Sequence, residues 1–376
     1  MPDKIALVLG GGGARAAYQI GVLKAIVQFY PRNQGIPFKI VCGTSAGAIN
    51  ATSIATHASC FHLGVRKLEW VWRHIHAKKV YQASIGGVVK HLSKMALKGV
   101  QSDGASHSAG SLFNSEPLRG LLNDLISFER IGRNISSGAL DAVSLDTSCY
   151  NNSRSVTFFQ GNPLIDDWQR ARRSGQRTRL NTEHLLASSA IPLIFPSVRL
   201  KQEYYGDGSV HQLAPLSSPI HLGADKIMVI NLESPHKAQP KELDHHPKTA
   251  TIAGHLLDTI FSDTLNSDLE RLERINSTLS LIPEESRQKL ALKQIETLVI
   301  KPSEDLSVIA SRYFQDMPFA IRMMMKALGI NEHSDSSVGS YLLFEQGYCS
   351  ALIELGYQDA MCQIDEIKSF FNIQSH

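Results

Sequence analysis

Residues 5–27 read IALVLGGGGARAAYQIGVLKAIV and residues 38–50 read FKIVCGTSAGAIN. The apolar run Ile5 to Leu9 has the length of one buried strand and passes directly into four glycines. Beyond the glycines, Tyr18, Ile20, Leu23, Ile26 and Val27 recur at helical spacing until Pro31 ends the pattern. Phe38 to Cys42 reads as a second strand, and a helical pattern follows over about 46–58. Strand, turn, helix, strand, turn, helix is the signature of an α/β protein with a largely parallel sheet.

Working outward, a further helical pattern spans 62–77, and Ser115 with Pro117 opens another that runs through Ile126. Gly99 to Ser111 is rich in Gly, Ser and Ala and reads as a loop. Strand candidates resume at Ala142 to Leu145, Val156 to Phe159 and Lys226 to Leu232. The composition then changes in SPHKAQPKELDHHPK, residues 234–248, which reads as a linker. The rest is mostly helical apart from a strand-like segment, Thr297 to Ile300, and no internal repeat is visible. The expected organisation is therefore an α/β domain over 1–233, a linker over 234–248, and a mainly helical C-terminal extension over 249–376.

The chain has 376 residues, 43% of them apolar and 19% charged, enough to bury a full core, so disordered and fibrous classes are excluded and a soluble globular protein is expected. With 38 Lys plus Arg against 35 Asp plus Glu, the formal charge is +3, which gives no general field for nucleic acid. Five cysteines, with no Cys-x-x-Cys pair, argue against a disulfide framework or a cysteine zinc site and point to a reducing, cytoplasmic compartment. The apolar run at the N-terminus is too short for a signal-peptide core, and no run of about 18 apolar residues is present, so any membrane contact is expected to be peripheral.

Chemistry concentrates at Gly43-Thr44-Ser45-Ala46-Gly47, a Gly-x-Ser-x-Gly placed after a strand and before a helix. A serine there sits on a tight turn with its hydroxyl presented, and small flanking residues avoid a clash within the turn. A serine nucleophile needs a base, and its tetrahedral intermediate needs donors for the oxyanion. Gly10 to Gly13 can aim several backbone N–H groups at one point, next to the positive end of a helix. The same loop approximates a dinucleotide fingerprint as Gly11-x-Gly13-x-x-Ala16. No acidic residue closes a second strand about 20 residues on, and no Gly-Lys-Ser/Thr is present, so nucleotide binding loses support.

Three blocks, GGGARAAYQIGVL, GTSAG and YYGDGS at 204–209, together resemble the signature blocks of patatin-like lipid acyl hydrolases, and HLLASSAIPLIFP at 184–196 is similar to that family's approach to its aspartate. The resemblance covers roughly residues 4–232 and implies a three-layer α/β/α core with a mostly parallel sheet. It implies an oxyanion hole at Gly11, Gly12, Gly13 and Arg15, with Ser45 as nucleophile, Asp207 as general base, and neither cofactor nor metal. Ala16 stands where the family usually has Gly, and Ser209 stands where Gly or Ala follows Asp-Gly. Neither change removes a reacting group.

The implied activity is hydrolysis of fatty acyl esters of phospholipids or lysophospholipids through an acyl-enzyme. The alternative is a catalytically silent or acyl-transferring lipid-binding module. A carboxylate of reference pKa about 3.9 is a poor base for a hydroxyl unless desolvated, so Asp207 is expected to be buried. A Ser-Asp-His order with His211 or His221 as the base stays open as the rival.

Other features bear on the substrate. Lys90, Lys94 and Lys98 repeat at i, i+4 beside Val88, Val89, Leu92 and Met95, a pattern suited to an anionic lipid surface or to an ordinary solvated helix face. WQRARRSGQRTR, residues 168–179, holds Arg170, Arg172, Arg173, Arg177 and Arg179, which suit either lipid phosphates or a solvated surface loop. With one aromatic, Trp168, it lacks a nucleic-acid pattern. PFAIRMMMKALGI at 318–330 suits either core packing or acyl chains. His236, Asp244, His245 and His246 read as a polar linker rather than a metal site, and the oligomeric state is not legible.

Overall fold

The computed structural model describes residues 3–82, 111–212, 214–234, 264–287, 289, 290, 292–327 and 337–373. The expected linker, the lysine-bearing segment and the linker histidines therefore lie outside the described residues, except for Ser234. Among the described residues, ten strands form one sheet: β1 Ile5–Leu9, β2 Ile40–Thr44, β3 Ala142–Cys149, β4 Arg154–Gly161, β5 Trp168–Gln169, β6 Arg173–Arg177, β7 Val198–Leu200, β8 Glu203–Asp207, β9 Lys226–Ile230 and β10 Glu296–Ile300. The order is β10-β9-β1-β2-β3-β4-β6-β5. The run from β10 to β3 is parallel, while β4 and β8 each pair with β3 antiparallel and β7 closes a hairpin with β8.

The central strands are buried on both faces, which is why they read as continuous apolar runs rather than as alternation. Leu7, Leu9, Val41, Val143 and Leu145 face a helical layer with α1 Ala17–Ile26, α2 Ala46–Thr56, α3 Phe61–Arg73, α4 Glu116–Leu125 and α5 Thr182–Ser188. Ala6, Val8, Ile40, Cys42 and Ala142 face the other layer, built from α6 Ser217–His221 and the helix Thr264–Ser280 through Leu216, Leu222, Leu265 and Leu272. Three further helices used below are α7 Leu306–Arg312, α8 Val338–Leu342 and α9 Gln346–Cys362.

The part beyond residue 248 is mainly helical where described, yet it is built into the sheet and its helical layer. β10 pairs along the full length of β9, and α9 lies on α1. Two corrections concern local structure. The arginine-rich segment 168–179 is not a surface loop but the β5–β6 hairpin, held by Trp168, which stacks between Phe159 and His221 at 5.2 and 4.9 Å. The second strand is shifted from the expected 38–42 to Ile40–Thr44, which carries it up to the serine itself. No helix among the described residues is long and apolar enough to cross a membrane.

Candidate active site

β2 ends at Thr44, and the chain turns into α2 at Ser45, whose backbone sits at φ 55° and ψ −129°. A serine in this left-handed region costs about 1–3 kcal/mol, so the surrounding contacts must hold it there. They are visible. The Ser45 N–H donates to Ser188 Oγ at 3.0 Å, and Ser188 Oγ donates to the Asp146 carbonyl on β3 at 2.7 Å. Gly43 and Gly47 leave the turn room, because a Cβ at either would press on backbone, of residues 47–48 and 9–10 respectively.

Asp207 ends β8 and is fully buried. Its N–H donates to the Ala190 carbonyl at 2.9 Å, and its Oδ1 accepts from the Ser209 N–H at 3.0 Å. Oδ2 is buried and makes no full hydrogen bond among the described residues. Burial pushes the carboxyl up from 3.8 to about 6, against the opposing pull of the Ser45 side chain and of Ser209. The structure thus brings Ser45 and Asp207 together from two strands that meet end to end along one edge of β3, Thr44 pairing with Asp146 and Asp207 with Thr147.

The glycine loop lies between β1 and the short 3-10 turn Gly13–Ala16. Gly13 has φ +55°, and the Tyr341 carbonyl lies where its Cβ would stand, so only glycine fits. The N–H groups of Gly11, Gly12 and Gly13 donate to no described residue. Gly10 offers its carbonyl to Gln19 Nε2 at 2.8 Å. Gln19 Oε1 in turn accepts from Asn50 Nδ2 at 2.9 Å, and Asn50 Oδ1 accepts from Trp72 Nε1 at 2.9 Å. This buried chain ties the loop to α1, α2 and α3.

Arg15, expected among the oxyanion donors, is engaged with other groups in this structure. Its N–H closes the turn on the Gly12 carbonyl at 3.1 Å, and its guanidinium reaches Ser340 Oγ at 2.7 Å, Ser307 Oγ at 2.8 Å and Tyr341 Oη at 3.0 Å. Both donor groups point to other partners because α7 and α8 cover that side of the loop.

Beside Ser45 opens an apolar pocket, with about 590 Å³ of empty space when the open solvent at its mouth is included. Ile49, Trp72, Ile75, Leu118, Phe195 and Phe344 are among its walls, and Gly13 lies at its edge. The methionines of 318–330 do not line it; Met324 and Met325 are buried in the core.

Neither rival histidine reaches the pair. His221 binds the Ser217 carbonyl through Nδ1 at 2.8 Å and stacks on Trp168. His211 is anchored by its N–H on Ser148 Oγ at 3.1 Å, and its Nδ1 makes no hydrogen bond among the described residues. Asp146, fully buried on the face opposite α2, receives Thr157 at 2.5 Å, Gln212 at 2.6 Å, Ser218 at 3.1 Å and Thr44 at 3.3 Å. Burial raises its pKa, and these four donors oppose the rise. Sequence reading passed over Asp146 and Ser188. A lone acid within the apolar strand AVSLDTSC was the available signal for the first, and membership of the 184–196 block for the second.

A sequence profile described as Patatin-like phospholipase matches residues 7–220, more than half of the chain. The chain belongs to the patatin-like phospholipase family. Among curated proteins, the patatin-like phospholipase domain-containing protein 7 of Rattus norvegicus is 42% identical over 68 residues, covering 18% of this chain and 5% of its own. Protein 6 of the same description from Homo sapiens is 44% identical over 68 residues, with the same coverage, and the lysophospholipase nte1 of Aspergillus terreus is 48% identical over 54 residues, 14% of this chain and 3% of its own. The match spans about a twentieth or less of these relatives' length. Among solved structures, VipD from Legionella pneumophila superposes with a TM-score of 0.35 at 13% identity, over 97% of this chain and 67% of that one. The type III effector ExoU superposes with a TM-score of 0.38 at 12% identity, over 98% and 54%. Both superpositions are loose. Within the patatin profile lie the glycine loop, Ser45 and Asp207, and beyond it lie the Phe344 wall and the partners of Arg15.

Proposed function

We propose that this patatin-like chain is a serine hydrolase of phospholipid or lysophospholipid acyl esters, of phospholipase A or lysophospholipase type, working through a Ser45–Asp207 dyad. One observation supports this above the rest. A strained serine stands at the end of an apolar pocket beside a fully buried carboxyl with one oxygen unbonded.

In the proposed reaction the acyl chain occupies the pocket and the ester carbonyl meets Ser45. Asp207 takes the hydroxyl proton as Oγ bonds to the carbonyl carbon, and the oxyanion is held by N–H groups of Gly11, Gly12 and Gly13. Collapse breaks the ester C–O bond, the Asp207 proton goes to the leaving alcohol, and the acyl group stays on Ser45. Water then repeats the sequence, with Asp207 as its base, and releases the fatty acid. Desolvation suits Asp207 to this work, since a carboxyl near 6 is a stronger base than one near 4 and is still ionised at neutral pH.

Peripheral contact with a lipid surface belongs to the same reading. Leu193 is 76% exposed in the loop whose Ile191 and Phe195 line the pocket. The strand pairing places Arg173, level with Ser155 and Ser148, at the same end of the sheet as Ser45, with Arg170 and Arg172 beside it. These arginines are the proposed headgroup contacts. Lys90, Lys94 and Lys98 lie outside the described residues.

The test is release of fatty acid from a panel of phospholipids and lysophospholipids by wild type, Ser45→Ala and Asp207→Asn, with folding followed by circular dichroism. Loss in both variants is the expected result. Undiminished release by folded Asp207→Asn would remove the dyad. A wild type that releases nothing yet labels at Ser45 with a fluorophosphonate would favour acyl transfer, and one that does neither would favour a silent lipid-binding module.

A further inference from the structure

Arg15 sits two residues after Gly13, yet its side chain reaches Ser307, Ser340 and Tyr341, all in the last 70 residues of the chain. Its guanidinium carbon lies 3.9 Å from the centre of the Tyr341 ring, in addition to the three hydrogen bonds to Ser307, Ser340 and Tyr341. Each partner is itself fixed. Asp305 caps α7 by accepting from the Ser307 N–H at 2.8 Å, Ser340 Oγ donates to the Ser337 carbonyl at 2.5 Å, and Tyr341 is 2% exposed.

The segment held by Arg15 touches the site twice. The Tyr341 carbonyl lies against Gly13, and Phe344, three residues on, forms part of the pocket wall and stacks on Trp72 at 6.1 Å. The far end of the segment is fastened as well, by Tyr81 Oη on the Leu342 carbonyl at 2.6 Å and by Glu345 on His76 at 2.9 Å. A planar, permanently charged fork suits this task, because it can hold three acceptors in a fixed geometry that an ammonium cannot reproduce.

We infer that Arg15 is a positioning residue: it clamps residues 340–344 onto the glycine loop, so that one contact sets both the Gly12–Gly13 donors and the Phe344 wall. The C-terminal segment is thereby part of the catalytic centre. The inference rests on the hydrolase reading, and it differs from a role for Arg15 as a donor to the oxyanion.

The experiment measures steady-state hydrolysis of lysophosphatidylcholine by the full chain, first confirming that wild-type release depends on Ser45. Without that dependence the hydrolase reading fails, separately from the clamp. Arg15→Met is expected to lower kcat by about 10-fold to 100-fold, the cost of misplaced donors, and to raise KM as the Phe344 wall shifts. Ser307→Ala, Ser340→Ala and Tyr341→Phe combined should reproduce that loss, and Arg15→Met added to the three should cost nothing more. Arg15→Lys should fall in between. Phe344→Ala should raise KM. If Arg15→Met multiplied the loss in the background lacking the three hydroxyls, the guanidinium would be acting on substrate directly and the clamp would be overturned. Should Arg15→Met fail to fold, the three hydroxyl deletions decide alone: unchanged kcat in the triple variant overturns the proposal.

Discussion

A carboxyl buried without a cation beside it is costly to ionise, and Asp207 shows what that cost does for a reaction. Its pKa near 6 places the acid limb of kcat/KM at about pH 6, activity rising as Asp207 loses its proton and then levelling. A pH–rate profile with its limb near 4 instead would mean that burial does not tune this group. The same residue should show a conflict between stability and function. The folded pKa lies above the unfolded one, so the native state holds its proton more tightly between about pH 4 and 6, and stability falls as pH rises through that window. The gap from 3.8 to about 6 corresponds to about 3 kcal/mol. Asp207→Asn should therefore raise the melting temperature at pH 8 while abolishing turnover, and the gain should vanish below about pH 4. Ser188→Ala should act in the opposite sense: it leaves the buried Ser45 N–H unbonded, at about 1–3 kcal/mol in urea unfolding, and kcat should fall as the turn loosens.

At the level of elements, what could be read from the sequence follows from how local the cause is. β1, α1, the glycine turn and the serine turn are set by residues within one or two turns of each other, so their order is legible, and Ile5–Leu9 matches the expected strand to the residue. The β5–β6 hairpin is not legible. Its four arginines conceal any alternation, and its anchor, Trp168 between Phe159 and His221, joins residues far apart in sequence. The partners of Arg15 are not legible for the same reason, since the residues that its guanidinium reaches lie about 300 positions away. The hairpin position gives the arginines a test. Arg170→Gln with Arg172→Gln should reduce hydrolysis of phospholipid with an anionic headgroup and leave a short uncharged ester untouched. Equal rates on both substrates would reduce the pair to solvated charges. Arg177 is left out of the substitution because it caps the carbonyls of Gly161, Asn162 and Pro163 at 2.7, 3.1 and 3.3 Å.

For the whole molecule, the decisive contacts cross the composition change at 234–248. β9 is covered on one side by β1 and on the other by β10, and Ile227, Met228, Val229 and Ile230 are all buried. α1 meets α9 so closely that a Cβ on Gly356 would strike the Tyr18 carbonyl, and one on Gly21 would strike that of Ile353. Tyr18 Oη also donates to Asp359 Oδ2 at 2.9 Å in the same contact. A chain cut after residue 233 would present β9 as a long apolar edge open to pairing with other chains, and would uncover the apolar face of α1. It should therefore aggregate, or unfold without a cooperative transition in circular dichroism, even though it keeps the glycine loop, Ser45 and Asp207. Gly356→Val in the full chain tests the same contact more gently, because it forces α1 and α9 apart; it should lower the melting temperature and, through Gly13 and Phe344, lower turnover too. A soluble 1–233 fragment with a cooperative transition and wild-type hydrolysis would show that the active site needs none of these contacts, and the physical coupling argued from Arg15 would fall with them.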